Sequence, residues 1–149
     1  MKIYINAIGK EKSKELSLLT QEYLKRFPWS VETNEFTYDK NGSVDEIKLA
    51  EGKLLLSKAR GKLIALDEIG KEFSSPKLAE KFQTWMNDGN SEVTFLIGGA
   101  NGHSQWLREQ ADLVLSLSQL TFAHKLVRLI LAEQIYRVYS IIQGHPYHK

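Results

Sequence analysis

The feature that most constrains the fold is the alternation of two apolar periods along the chain. Lys2 to Ile8 repeats with period two, the pattern of a strand. Ser13 to Phe27 then sets Leu16, Leu19, Tyr23 and Phe27 at helical spacing, and Pro28 closes that stretch. Val31 to Tyr38 alternates again. Asn41-Gly42-Ser43 is a turn, with Ser43 as N-cap of a helix from Val44 to Ala59. Lys62 to Asp67 is a short apolar run of buried-strand type. Ser75 caps a helix with Pro76 at its first position, running through Leu78, Phe82 and Trp85 to Asp88-Gly89. Val93 to Ile97 is a strand, Gly98 to Gly102 a tight turn and Ser104 to Gln110 a short helix. Leu113 to Leu117 is a strand, Thr121 to His124 a loop, and Lys125 to Gln143 a long helix before the tail His145–Lys149.

Strands that alternate with helices predict an α/β fold, a mostly parallel sheet with helices on both faces. No linker, repeat or low-complexity run interrupts the 149 residues, so they read as a single domain, 1–149. In such sheets ligands sit beyond the carboxyl ends of the strands. That singles out the loops after Leu66-Asp67, after Ile97 and after Leu117.

Composition narrows the chemistry. The chain has no cysteine, which excludes disulfides, thiolate zinc sites, iron–sulfur clusters and a cysteine nucleophile. It fits a reducing compartment. The apolar stretch Leu126–Ile142 carries Arg128, Glu133, Gln134 and Arg137, too many polar groups for a membrane span. The N-terminus lacks a signal-peptide core, so a cytoplasmic protein is expected. Net charge is only +2, yet Ala123 to Lys149 carries +3, leaving −1 on the remainder. The C-terminal end is therefore the electropositive one, although charge alone suits a helix with a few solvated cations.

Three places carry candidate chemistry. The Gly98–Gly102 turn allows close backbone approach, but it matches neither the dinucleotide fingerprint nor a P-loop. The run Leu117–Phe122 leaves a strand yet stays apolar while adding Ser118, Gln119 and Thr121. Composition supports equally an adenine-wrapping loop and a buried connection that satisfies its own amides. The last helix is apolar around almost its whole circumference, so it needs cover on two sides, and a second copy of the chain is the economical cover for one of them. On that helix Glu133 and Arg137 are spaced as an i,i+4 pair, either an ordinary ion pair or a polar site in an apolar interface. The tail adds aromatic and imidazole groups suited to stacking on unpaired bases, and a metal site there lacks a nearby carboxylate or cysteine.

The run Leu96–Gly102 (LIGGANG) and the segment Leu115–Lys149 closely resemble the RlmH family. These are SPOUT-class methyltransferases that modify a pseudouridine of large-subunit ribosomal RNA. The MKI opening, Glu22–Phe27 and the strand ending Leu66-Asp67 extend the resemblance over essentially the whole chain. The resemblance implies a C-terminal trefoil knot, a homodimer, and S-adenosyl-L-methionine held by Leu66, Gly98, Leu117, Ser118, Gln119, Leu120, Thr121 and Phe122. The implied reaction is methylation at N3 of a pseudouridine in 23S ribosomal RNA within assembled ribosomes, with no metal. N3 carries a proton at neutral pH, so a group must accept it or stabilise the anion. Glu133 is the candidate base, Arg137 and Arg128 the candidate cations, and His124 and His148 alternatives for the proton. Arg128, Tyr147 and His148 are expected RNA contacts. One departure stands out: Ala123 occupies the position before His124 where the family usually has proline. The alternative reading is a non-catalytic RNA- or ribosome-binding module with the same fold; a third is an unrelated nucleotide-binding protein.

Overall fold

The computed structural model describes residues 1–39 and 41–149. The chain forms two compact units that it visits in turn. One comprises residues 1–10, 30–72 and 91–120, the other 11–29, 73–90 and 121–149.

The first unit holds every strand. These are β1 (Lys2–Ile8), β2 (Ser30–Phe36), β3 (Lys62–Glu72), β4 (Glu92–Ile97) and β5 (Leu113–Ser116). All neighbours pair in parallel, in the order β2-β1-β4-β3-β5. β1 and β4 at its centre are buried along both faces, as parallel strands require: Ile3, Ala7, Val93, Thr94 and Leu96 are all inaccessible. Helices α2 (Val44–Ser57) and α4 (Gln105–Gln110) also belong to this unit, and Leu55 and Leu107 from them pack with Ile8 and Leu96. Each helix opens on a serine cap: Ser43 Oγ accepts from the Glu46 amide and Ser104 Oγ from that of Leu107. Asn6, wholly buried, is satisfied by donating to the Leu55 carbonyl and accepting from Asn34 Nδ2.

The second unit is built from α1 (Lys14–Leu24), α3 (Ser75–Asn87) and α5 (His124–Ile142), with α1 and α3 both packed on α5. Its core is aromatic. Trp29 stacks on Phe82 and meets Tyr139 edge-on, while Phe27 lies flat against Tyr136 and Tyr139. Own helices thus cover part of the circumference for which a second copy was the economical cover.

The element order agrees with the expectation, with corrections at boundaries. The first helix ends at Leu24, three residues early, because Phe27 turns into the aromatic core. Ser74, not Ser75, caps α3, so Pro76 stands one position further in. The largest change is at β3, expected to end at Asp67 but running to Glu72. Leu66 and Lys71 both register with Leu115, so residues 67–70 bulge out and the strand resumes. Gly70 permits the return: a Cβ there would lie 2.7 Å from the Val114 carbonyl oxygen.

Candidate functional site

Sheet register brings the three candidate loops to one edge of the first unit. Leu66 pairs with Ile97 on one side and with Leu115 on the other, so β3, β4 and β5 reach their carboxyl ends side by side. The Leu66, Gly98 and Leu117 positions therefore lie together although they are distant in sequence.

The loop after β5 is not the buried connection that composition allowed. Gln119, Leu120 and Thr121 are exposed, and Leu120 is 71% exposed. Local side chains shape its start: Ser116 Oγ donates to the Ser118 carbonyl, and Ser118 Oγ accepts from the Leu120 amide. The result is an apolar surface at a strand end with its backbone turn already fixed. Leu120 is the last residue of the first unit; Thr121 and Phe122 open the final segment of the second.

The glycine turn after β4 is held by residues that sequence reasoning did not single out. Glu51 is 2% exposed, and its carboxylate accepts from the Gly99 amide at 3.3 Å. His103 is 3% exposed, and its Nε2–H donates to the Leu96 carbonyl at 3.1 Å. Burial holds the His103 imidazole below its usual value, against the Leu96 carbonyl, which pulls the other way. The ring lies against Gly98, where a Cβ would sit 3.2 Å from it and 3.2 Å from the Gly102 carbonyl carbon. Arg108 donates to the His103 carbonyl at 2.8 Å and to Asp67 Oδ2 at 3.3 Å. The only sequence signal for Glu51 was a carboxylate on a helix, which normally reads as a solvated face.

In the second unit the C-terminal tail folds back on α5. Glu133 Oε1 accepts from Arg137 Nε and Nη2 and from the Tyr147 hydroxyl, and Oε2 accepts from Gln134. Arg137 Nη1 donates to His148 Nδ1 at 3.2 Å, and its guanidinium lies 4.8 Å from the Tyr147 ring centre. The Tyr147 and Tyr136 ring centres are 4.5 Å apart. Burial first, and then the Glu133 carboxylate, push the Tyr147 phenol up to about 12, so at neutral pH it is a donor. Arg137 is held above its usual value by its hydrogen bonds to Glu133, which fixes it as a cation. Of the expected catalytic and RNA-contact residues, Glu133, Arg137, Tyr147 and His148 thus form one cluster, while His124 is the first residue of α5. Arg128 is not a surface cation here. It is 7% exposed because it shares a helix face with Leu131, Ala132 and Ile135, spaced three, four and seven residues on.

Comparison with known proteins gives the family. A family model described as "Predicted SPOUT methyltransferase" matches residues 1–148, running through both units. The chain belongs to the SPOUT methyltransferases. Among SPOUT relatives, a protein of Paramagnetospirillum magneticum is 38% identical over 151 residues, covering 100% of this chain and 99% of its own. One of Flavobacterium johnsoniae is 41% identical over 155 residues, covering 99% of each. Both are named ribosomal RNA large subunit methyltransferase H. Among solved structures, the SpoU methyltransferase AviRb of Streptomyces viridochromogenes, in complex with AdoMet, has a TM-score of 0.46 and 8% identity over 97% of this chain and 61% of that one.

Proposed function

We propose that this protein transfers a methyl group from S-adenosyl-L-methionine to N3 of a pseudouridine in 23S ribosomal RNA, acting on the assembled ribosome as a homodimer in the cytoplasm. The observation that carries the reading is similarity over 99–100% of the chain to SPOUT relatives named for methylation of large-subunit ribosomal RNA. The same likeness leads us to expect the knotted C-terminal path.

The first unit fits the donor. Three adjacent strand ends place Leu66, Gly98 and Leu117–Leu120 at one edge, and Thr121 and Phe122 follow in the chain. The exposed Leu120 offers a face for an adenine, and Gly98 lets the turn after β4 close on the His103 ring. When bound, the donor supplies an electrophilic methyl carbon on a sulfonium. This chain's task is then to align donor and nucleotide and to manage the N3 proton.

The second unit carries the groups for that proton and for RNA. Arg137 is a permanent cation beside Tyr147 and His148, suited to a phosphate or to the developing N3 anion. The Tyr147 ring packs against Arg137 and Tyr136, so stacking on a base requires it to leave one of them. The Glu133 carboxylate already accepts from Arg137, Tyr147 and Gln134, so taking a proton requires it to release one of these donors. Exposed Leu18 and Leu19 on α1 and Leu126 on α5 favour a second copy as partner. Among the described residues no helix is long and apolar enough to cross a membrane, and no cluster of three or more His, Cys, Asp or Glu side chains is placed to hold a metal.

The test is calorimetric titration with S-adenosyl-L-methionine, light scattering on the same sample, and mapping of methyl incorporation on ribosomes lacking the modification. Binding by a dimer and methylation at one pseudouridine are expected. A folded dimer that binds ribosomes but neither binds nor uses the donor, even together with them, overturns the reading in favour of a non-catalytic RNA-binding module.

A further inference from the structure

The donor reading needs two loops held at a fixed spacing, the end of the first half of β3 and the β4–α4 turn. The ladder between β3 and β4 stops at the Leu66–Ile97 pair. Beyond it, the buried His103 ring meets the backbone of both Leu96 and Leu66, and the Arg108 side chain reaches both loops. Arg108 Nη1 donates to Asp67 Oδ2 at 3.3 Å and to the His103 carbonyl at 2.8 Å.

Each end of this bridge is built into its own loop. Asp67 Oδ1 accepts from the Ile69 amide at 3.2 Å, so the same carboxylate that faces Arg108 shapes the start of the bulge. His103 is tied to β4 through Leu96, and its ring is the floor on which Gly98 rests. A shift of His103 is therefore a shift of Gly98. Arg108 is itself well presented: the preceding Leu107 is wholly buried among Ile8, Leu55 and Leu96, and Ser104 caps the short helix that carries both.

The energetics argue that the bridge sets geometry more than stability. The two side chains are partly exposed, 25% for Arg108 and 15% for Asp67, and a half-wet ion pair of that kind adds little to folding. Its acceptors belong to loops 36 residues apart in the chain (Asp67 and His103), both next to positions where the donor is expected. Small displacements at such positions are costly for binding, because a ligand needs all its contacts at once.

We infer that Arg108 is a positioning residue for the methyl donor: by joining Asp67 to the His103 carbonyl, it fixes the spacing between Leu66 and Gly98 and so pre-forms the donor site. The inference rests on the methyltransferase reading above. It adds a residue that makes no contact with the donor itself.

The experiment compares wild type with Arg108→Met, Arg108→Lys and Asp67→Asn. Each is measured by calorimetry with S-adenosyl-L-methionine, by steady-state kinetics on ribosomes, by thermal unfolding, and by amide exchange of Gly98–Gly102 without donor. Arg108→Met keeps the apolar stem and loses both hydrogen bonds. Its donor affinity is expected to fall about tenfold, on the scale of one lost charge-assisted hydrogen bond. The loss should appear in KM for the donor rather than in kcat, with faster exchange in the turn. Arg108→Lys should recover part of the affinity, since an ammonium reaches one acceptor. Asp67→Asn, close in shape to the native residue, should weaken binding in the same direction and serves if Arg108→Met does not fold. A lowered unfolding temperature with unchanged affinity, KM and exchange in these variants would make Arg108 a plain stabilising ion pair and overturn the inference. Wild type that neither binds nor uses the donor, alone or with ribosomes, overturns the methyltransferase reading instead, and is seen before any variant is made.

Discussion

Glu133 illustrates how one residue changes meaning when its neighbours are known. On a bare sequence it is the best-placed acid on a basic helix. In the fold its carboxylate is the acceptor on which Arg137 and Tyr147 converge. If it acts as an anchor, Glu133→Gln and Tyr147→Phe remove overlapping interactions. Each should then cost about 1 kcal/mol of stability, and the double variant little more than either alone. Activity should fall partially and to similar extents in the two single variants. A kcat that collapses in Glu133→Gln while Tyr147→Phe stays near wild type would return Glu133 to the role of base. His103 makes a second prediction at this scale. Burial lowers its pKa in the folded chain, whereas the unfolded chain titrates near the ordinary 6.5. The unfolded state therefore binds the extra proton first, and stability falls as pH drops below that value, by at most about 1.4 kcal/mol per pH unit. Denaturant unfolding from pH 7.5 down to 5 should show a steeper decline in wild type than in His103→Leu. Parallel curves would mean that the folded site accepts the proton freely.

Among the elements, what was legible followed from local physics and what was not followed from contacts across the chain. Strand β1 and the start of α2 could be placed because period and a serine cap are local signals. The continuation of β3 could not. Asp67 to Gly70 reads as a turn, and only pairing with β5 makes Lys71-Glu72 a strand again. The burial of Arg128, expected as an RNA contact, also needed contacts across the chain: the helical face it shares with Leu131 and Ile135 puts it inside. The residue before α5 is a case where the local signal is testable. Ala123 stands where relatives are expected to carry proline, and it has φ −55° and ψ 134°. Proline's ring locks φ close to that angle, so Ala123→Pro needs no backbone change at residue 123. It should stabilise the protein by roughly 0.4–1 kcal/mol by restricting the unfolded chain. A lowered unfolding temperature would mean that the Ala123 amide or the conformation of Phe122 matters more than chain entropy.

For the whole molecule, the question is how a small protein finds one nucleotide in a ribosome. The C-terminal segment carries only +3, with Arg128 buried, so few cations remain to neutralise phosphates. An RNA-binding surface of that size gives weak non-specific attraction that fades quickly with salt. On the proposed reading, recognition then draws on shape, through the second copy of the proposed homodimer and the ribosomal surface around the target. Two outcomes follow. Methylation of assembled ribosomes should exceed that of the same RNA stripped of protein by at least about tenfold in kcat/KM, which corresponds to little more than one good contact. If the chain acts as the proposed homodimer, diluting the protein until light scattering reports monomers should abolish activity with the same concentration dependence, because the exposed leucines of α1 and α5 would lose the cover proposed for them. Equal rates on free RNA and ribosomes would shift recognition onto the tail itself, where Arg137, Tyr147 and His148 would have to read the nucleotide unaided. In that case Tyr147→Ala would reduce binding to a short oligonucleotide as strongly as it reduces binding to the ribosome.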